Sequence, residues 1–423
     1  MQTTVLQTIL LILLASKFFC EQFLGSLNLK KIKQNKAVIP HSAFDYMNKE
    51  EWQKCSNYTI AKIHFSRLEN IFSFLLSIII LLFLLPLFYN QWAILYGSGF
   101  WVSAIFTATF LILIQQIEMP FDWYRQFRLE DRYGFNKQTL GLWFTDKVKE
   151  LILGCFLLIF LIALVQGLHL QLSAWSPNYW WVIAFFALFV FQLLLMVLWP
   201  RLILPLFNTL KPLEDVELRD KLQQLSEKTG FQTKEIQVLD GSKRSSHSNA
   251  FFTGFGKFRK IVLYDTLIQQ MSQNEIIAVV AHEIGHYKLG HIPKRLAISF
   301  VTGLLLFWTL ASIMDSTWFT EELKIPTSFG GEIGPVLLSF ILFGGCITYW
   351  LSPFSNYFSR RHEYQADDFA VSVTGSSNSL PEALKKLSVK NLSYPLPHSW
   401  VSFFHRSHPS VPERILNIRK SSN

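Results

Sequence analysis

The chain has 423 residues, of which 50% are hydrophobic and only 16% charged, with a net charge of +9. A charged fraction well below the roughly 25% of soluble domains excludes an ordinary soluble enzyme. The four cysteines (Cys20, Cys55, Cys155, Cys346) form no CxxC pair, and the surplus Lys and Arg come without an arginine-rich arm or aromatic platform; a disulfide framework, a cysteine zinc site and a nucleic-acid partner are therefore excluded.

Runs apolar enough to cross a bilayer, which takes about 17–25 residues, fall at 4–22, 71–89, 96–114, 151–170, 178–199, 296–314 and 333–352. Lys17 interrupts the first, where a cleaved signal peptide is the competing reading. No basic segment precedes that run, however, and Phe18, Phe19, Cys20 and Glu21 make a poor small-residue cleavage site. The loop after the first span carries Lys30, Lys31, Lys33, Lys36, Lys49, Lys54, Lys62 and Arg67. The next, "NQWAILYG", has no charge. The third carries Arg125, Arg128, Arg132 and Lys137, and the fourth, "HLQLSAWSP", again none. Between spans six and seven lie Asp315, Glu321, Glu322 and Glu332 against Lys324. This alternation is expected of seven spans with the N-terminus outside and the C-terminus in the cytoplasm. The expected organisation is a five-span membrane region at 1–200, a soluble unit at 201–295, two spans at 296–352, and a soluble tail at 353–423, both soluble parts facing the cytoplasm.

The 201–295 unit reads as α/β. Val216, Leu218, Leu222 and Leu225 give a helix ending at Gly230, and "EIQVLDG", "NAFFTG" and "KIVLYD" give short strands, with Gly254 and Gly256 turning the chain between the last two. Ser272 and Glu275 form a capping box that starts a helix over 273–290, whose far end Gly290 and Pro293 disturb. In the tail, a helix continues from the seventh span through "SRRHEYQADDFAVSVTG".

That capped helix contains "AHEIGHYKLGH". His282 and His286 are four residues apart, so both imidazoles leave one face, as two ligands of one zinc ion require. Glu283 beside them is placed as general base for an attacking water. Ile276, Ile277, Val279, Val280 and Ala281 would bury this helix on most sides, and buried ionisable groups need partners or a metal. A third ligand is missing. The position that supplies it in HExxHxxGxxH proteases is Ile292 here, and His291, at 100° per residue, faces away from His282; His291 therefore reads as a surface or loop histidine. "SRRHEYQADDFA" offers Glu363, with Asp367 on the same face. Glu363 would complete the site, and Asp367 would either bond a ligand histidine or act on a proton directly. The competing readings are Glu363 paired with Arg360 or Arg361, and His362 as the ligand.

These residues resemble peptidase family M48 zinc metalloproteases. "EDRYGFNKQT", "LPLFNTLKPLED", "DGSKRSSHSNAFFTGFGKFRKIVLYDTL" and "SHPSVPERI" extend the likeness to the type I CAAX prenyl protease branch over most of the chain. The resemblance implies a predominantly α, polytopic membrane protein, whose seven transmembrane helices form an α-barrel chamber joined to a gluzincin-like α/β zinc protease domain. It implies one Zn2+ per chain on His282, His286 and Glu363, with Glu283 as base. His408 would stabilise the tetrahedral intermediate, and Arg414 would support the site and the bound substrate. His247, Asn249 and Ala250 would lie on or beside an edge strand that pairs with the peptide. The substrate would be a protein or peptide ending in Cys-aliphatic-aliphatic-X, prenylated or not, in contact with the lipid bilayer. Rival readings are a membrane quality-control protease and a transporter or channel with structural zinc. The compact chain suggests a bacterial inner membrane, with an ER-type membrane as the alternative.

Overall fold

A computed structural model describes residues 3–421 apart from 41–45, 98, 234, 255–258, 315, 327–328 and 330–331; Gly256 and Asp315 thus lie outside the described residues. Five long helices come first: α1 (Val5–Asn35), α2 (Lys49–Tyr96), α3 (Phe100–Glu130), α4 (Leu140–Ser173) and α5 (Trp180–Phe207). The α/β unit follows as β1 (Leu210–Pro212), α6 (Val216–Thr229), β2 (Glu235–Leu239), β3 (Ala250–Thr253), β4 (Lys260–Tyr264), α7 (Asp265–Gln270) and α8 (Gln273–Lys288). Then come α9 (His291–Met314), α10 (Thr317–Glu322), α11 (Ile333–Thr348), α12 (Ser352–Thr374), α13 (Ser379–Lys390), α14 (Ser399–His405) and α15 (Val411–Ser421).

Among the described residues, seven helices are long and apolar enough to cross a membrane, as the apolar runs predict, but most overrun their spans. The expected loop "NQWAILYG" is mostly the end of α2. The break falls between Tyr96 and Phe100, where Gly97 and Gly99 have φ of 70° and 146°, a backbone open to glycine and strained for other residues. Inside α2, a π-turn at Ile80–Leu84 precedes Pro86, whose missing N–H disrupts regular bonding. Helix α5 continues to Phe207, past the expected boundary at 200.

The helices pack in a ring, with α1 on α2, α3 on α4, α4 on α5, α5 on α9, α9 on α11 and α11 back on α1, and α11 also reaches across it to α3 and α4. Phe65 and Phe72 join α2 to Phe121 of α3. The ring is the expected α-barrel. Ile152, Phe156, Leu194 and Val301 of these helices are exposed, an apolar surface suited to lipid. At the end remote from the soluble segments, Leu14, Tyr89, Phe106, Trp180, Met314, Phe329 and Val336 form one apolar cluster. Gly334 permits that closure, because a Cβ there would collide with the Ser103 hydroxyl and stand 2.8 Å from Thr107 Oγ1 and 3.0 Å from the Ser103 carbonyl oxygen.

The soluble sheet has the order β1-β2-β4-β3. β1 is antiparallel to β2, β2 parallel to β4, and β3 antiparallel to β4 with Ala250 opposite Leu263. β1, which contains Pro212, went unpredicted; proline is tolerated there because β1 is an edge strand. Leu218, Leu222, Ile261, Leu263, Val280 and Ile284 bury α6, the sheet and α8 against one another. Helix α8 opens with the expected capping box of Ser272 and Glu275. It packs most extensively against α12. Gly285 sits at that contact: a Cβ would meet Phe369 Cδ1 at 3.1 Å and Ala366 Cα at 3.2 Å.

Candidate metal centre

The close approach of α8 and α12 brings three donors together. His282 Nε2 and His286 Nε2 are 3.2 Å apart. Glu363 Oε2 lies 3.4 Å from His282 Nε2, and Glu363 Oε1 lies 3.3 Å from His286 Nε2. Tetrahedral ligands bound at about 2.0–2.1 Å stand about 3.3–3.4 Å from one another, so this triangle fits a zinc ion. The chemistry agrees. Glu363 is 1% exposed, and its Oε2 is buried without a protein hydrogen bond; such an atom calls for a cation. These are the only described residues that form a histidine, cysteine and carboxylate cluster able to hold a metal.

Electrostatics point the same way. Burial pushes Glu363 up, but the two histidines and Arg414 outweigh it and hold the carboxyl well below its usual range. Burial and Arg414 push His282 down, yet Asp367 and Glu363 raise it to about 9. An imidazole this deep among carboxylates is a place for a positive charge, proton or metal. Glu283, half-buried beside His282, His286 and Glu363, is raised by desolvation despite the histidines and Arg414. A carboxylate made more basic in this way suits proton transfer near neutral pH.

The sequence left two roles open for Asp367. It is 0% exposed, accepts from His282 Nδ1 at 2.9 Å, and is held by Arg414 Nε at 2.8 Å. This position behind the His282 ring suits a group that orients that imidazole. Arg414 itself is buried, bonded to Asp367 and 3.6 Å from Glu363 Oε2. Its guanidinium lies against the two carboxylates. Of the competing readings, the Glu363–Arg360 pair does not form, because Arg360 instead donates to the carbonyls of Ser402 and Arg406. His362 stacks on His291, 4.0 Å between centroids.

His408 is brought to the same place from the loop before α15, with Nε2 3.3 Å from Glu363 Oε1 and most of its side chain exposed. The Ser407 hydroxyl lies 2.9 Å from Nδ1; donating there, it leaves Nε2 as the N–H donor.

His247 is held by groups outside the three-donor cluster. Its ring stacks on Phe135 at 4.0 Å, its Nδ1 meets Asn391 Oδ1 at 3.1 Å, and its Nε2 lies 3.6 Å from Glu130. Glu130 also accepts from Tyr58 at 2.7 Å, and Arg244 clasps Asp146 with two bonds of 2.9 and 3.0 Å. The "EDRYGFN" segment therefore pins the loop that leads into β3. Asn249 is exposed, and Ala250 opens the edge strand β3, which packs on α8.

One functional neighbour was misread. His291 is 1% exposed, not a surface residue. Its Nδ1 lies 3.0 Å from His286 Nδ1, and its Nε2 lies 3.0 Å from Gln365 Oε1. The 100°-per-residue projection fails because α8 stops at Lys288 and Gly290 has φ of 68°. The chain turns back, and α9 begins at His291 itself. Gly290 and Pro293 carried that signal.

Two family models match the chain: the CAAX prenyl protease N-terminal region of five membrane helices over residues 28–209, and peptidase family M48 over 212–422. CAAX prenyl protease 1 of Saccharomyces cerevisiae is 33% identical over 95% of this chain and 92% of its own length. A CAAX prenyl protease 1 homolog of Arabidopsis thaliana is 35% identical over 90% of each chain. The crystal structure of S. mikatae Ste24p superposes with a TM-score of 0.90 at 31% identity, covering 99% of this chain and 100% of that one.

Proposed function

The chain belongs to peptidase family M48 and is a multi-pass membrane metalloprotease; from that premise we propose that it removes the C-terminal tripeptide from prenylated CAAX proteins, using one zinc ion held by His282, His286 and Glu363. The observation that carries the reading is the triangle of donors with Glu283 beside it. Bound zinc supplies Lewis acidity, polarising the scissile carbonyl and making a water more acidic.

The protein's own groups do the rest. The edge strand β3, with Asn249 and Ala250, pairs with the extended peptide through main-chain hydrogen bonds. Glu283 takes the proton of the attacking water and returns it to the leaving amine. His408 Nε2–H donates to the carbonyl oxygen as its charge develops; in acyl transfer such a donor contributes about 2.7–4 kcal/mol. Asp367 and Arg414 keep His282 and Glu363 in place. The helical ring lets a prenyl chain, which partitions into bilayer, stay in apolar surroundings during cleavage. Basic loops on the side of the protease segments support a cytoplasmic active site. The relatives described above are eukaryotic, which supports an ER-type membrane over the bacterial one suggested by chain length.

The test is one CAAX peptide with and without its farnesyl group. Cleavage of the farnesylated form at many times the rate of the bare peptide supports the reading. Equal rates, with cleavage at internal bonds, would favour general membrane-protein quality control.

A further inference from the structure

We propose that His291 is a positioning residue that fixes the tautomer of His286, and that Gln365 in turn fixes the tautomer of His291. This rests on the reading of His286 as a metal ligand.

An imidazole that binds metal through Nε2 carries its proton on Nδ1 and donates it. The two histidines of the HExxH pair meet that demand differently. His282 donates to the carboxylate of Asp367 at 2.9 Å. His286 has no carboxylate there; its Nδ1 faces His291 Nδ1 at 3.0 Å. Two ring nitrogens at that distance share one proton. Only one arrangement leaves His286 Nε2 free for a metal: the proton on His286 Nδ1, and a lone pair on His291 Nδ1. His291 must then carry its own proton on Nε2. Gln365 Oε1 stands 3.0 Å from that nitrogen, and a carbonyl oxygen accepts only. It stabilises the required tautomer and opposes the other. His362 covers one face of the His291 ring, 4.0 Å away and 12° from parallel. With His291 1% exposed, no ready path exists for water to replace the bond.

The charge balance explains why the acceptor is neutral. Glu283, Glu363 and Asp367 supply three negative charges in this pocket, against Arg414 and a divalent cation. Those charges cancel. A carboxylate behind His286 would add a further buried negative charge, which is costly to desolvate. A histidine held by an amide orients the ligand without adding charge.

The experiment measures zinc affinity of the full-length protein in detergent by chelator competition, together with the absorption spectrum of the cobalt(II)-substituted form. His291→Leu is expected to weaken zinc about 10- to 100-fold, the usual cost of losing such a partner, and to shift the cobalt bands. His291→Asn places an oxygen near the Nδ1 position and is expected to recover much of the affinity and the spectrum. Gln365 is exposed, so Gln365→Leu tests the relay without disturbing the core; a smaller loss in the same direction is expected. Wild-type affinity in His291→Leu, or equal losses in the Leu and Asn variants, overturns the proposal. If His291→Leu does not fold, unchanged affinity and spectrum in Gln365→Leu overturn it. His286→Ala separates the underlying reading: loss of stoichiometric zinc upholds His286 as a ligand, whereas retention of tight zinc overturns that assignment and with it the role of His291.

Discussion

The two ends of the helical ring are built on opposite principles. At one end, Tyr89, Phe106, Phe329 and Val336 close the ring with apolar contact. At the other, α8, α12 and α15 meet through His282, Glu363, Asp367 and Arg414, all buried. Apolar packing is non-directional, and its cost on substitution scales with lost contact. The polar end depends on each atom having a specific partner, since an unpaired buried charge is penalised heavily. Damage to the first should therefore reach stability alone, and damage to the second should reach metal and chemistry as well.

The largest expected effect is on chemistry. Glu283→Gln should slow cleavage by at least about 10²- to 10⁴-fold, the range for a general base, while zinc content by elemental analysis stays at one per chain. Arg414→Leu comes next. It leaves Asp367 and Glu363 without their cation, which should destabilise by about 3–5 kcal/mol and lower both melting temperature and zinc affinity. Phe106→Ala at the apolar end should cost a similar amount, about 3–5 kcal/mol, yet leave zinc per folded chain unchanged. Zinc loss in Phe106→Ala would break the contrast between the ends. Gly285→Ala should cost about 1–3 kcal/mol by overpacking and loosen zinc, because Phe369 and Ala366 must yield.

The smallest effect concerns Glu275, which caps α8 and bonds Lys386 at 2.8 Å. Burial raises its carboxyl, but Lys386 and Ser272 outweigh burial and hold it below the ordinary 4.5. A carboxyl depressed in the fold stabilises above its unfolded value, and the gain is lost as pH falls through the folded value. Glu275→Gln should thus cost about 1 kcal/mol at pH 7. Unfolding curves of the two proteins should converge at acid pH.

Much of this was legible in the sequence, for physical reasons. The spans were readable because lipid demands long apolar runs. The helix carrying the histidines was readable because Ser272 and Glu275 cap it and its i,i+4 spacing puts both ligands on one face. Glu363 and Asp367 were readable by the same spacing on a later helix. Helix ends were less legible: α2 and α3 run well past their apolar windows, since backbone bonding continues until glycine or a cap interrupts it. The burial of His291 and the contacts of His247 were not legible, because both depend on tertiary turns. The Gly290 backbone reverses one ring, and the Phe135 contact captures the other. Neither follows from helical projection.

The central claim is metal-dependent removal of a tripeptide at the His282–His286–Glu363 centre. Its most direct test is mass spectrometry of the products from a farnesylated CAAX peptide, with native protein, chelated protein and protein restored with zinc. The account predicts loss of the last three residues as one fragment, abolished by chelator and recovered with zinc, and slowed at least about 10²-fold in Glu283→Gln when zinc is present. Undiminished cleavage after complete zinc removal, or normal cleavage by Glu283→Gln, would contradict it.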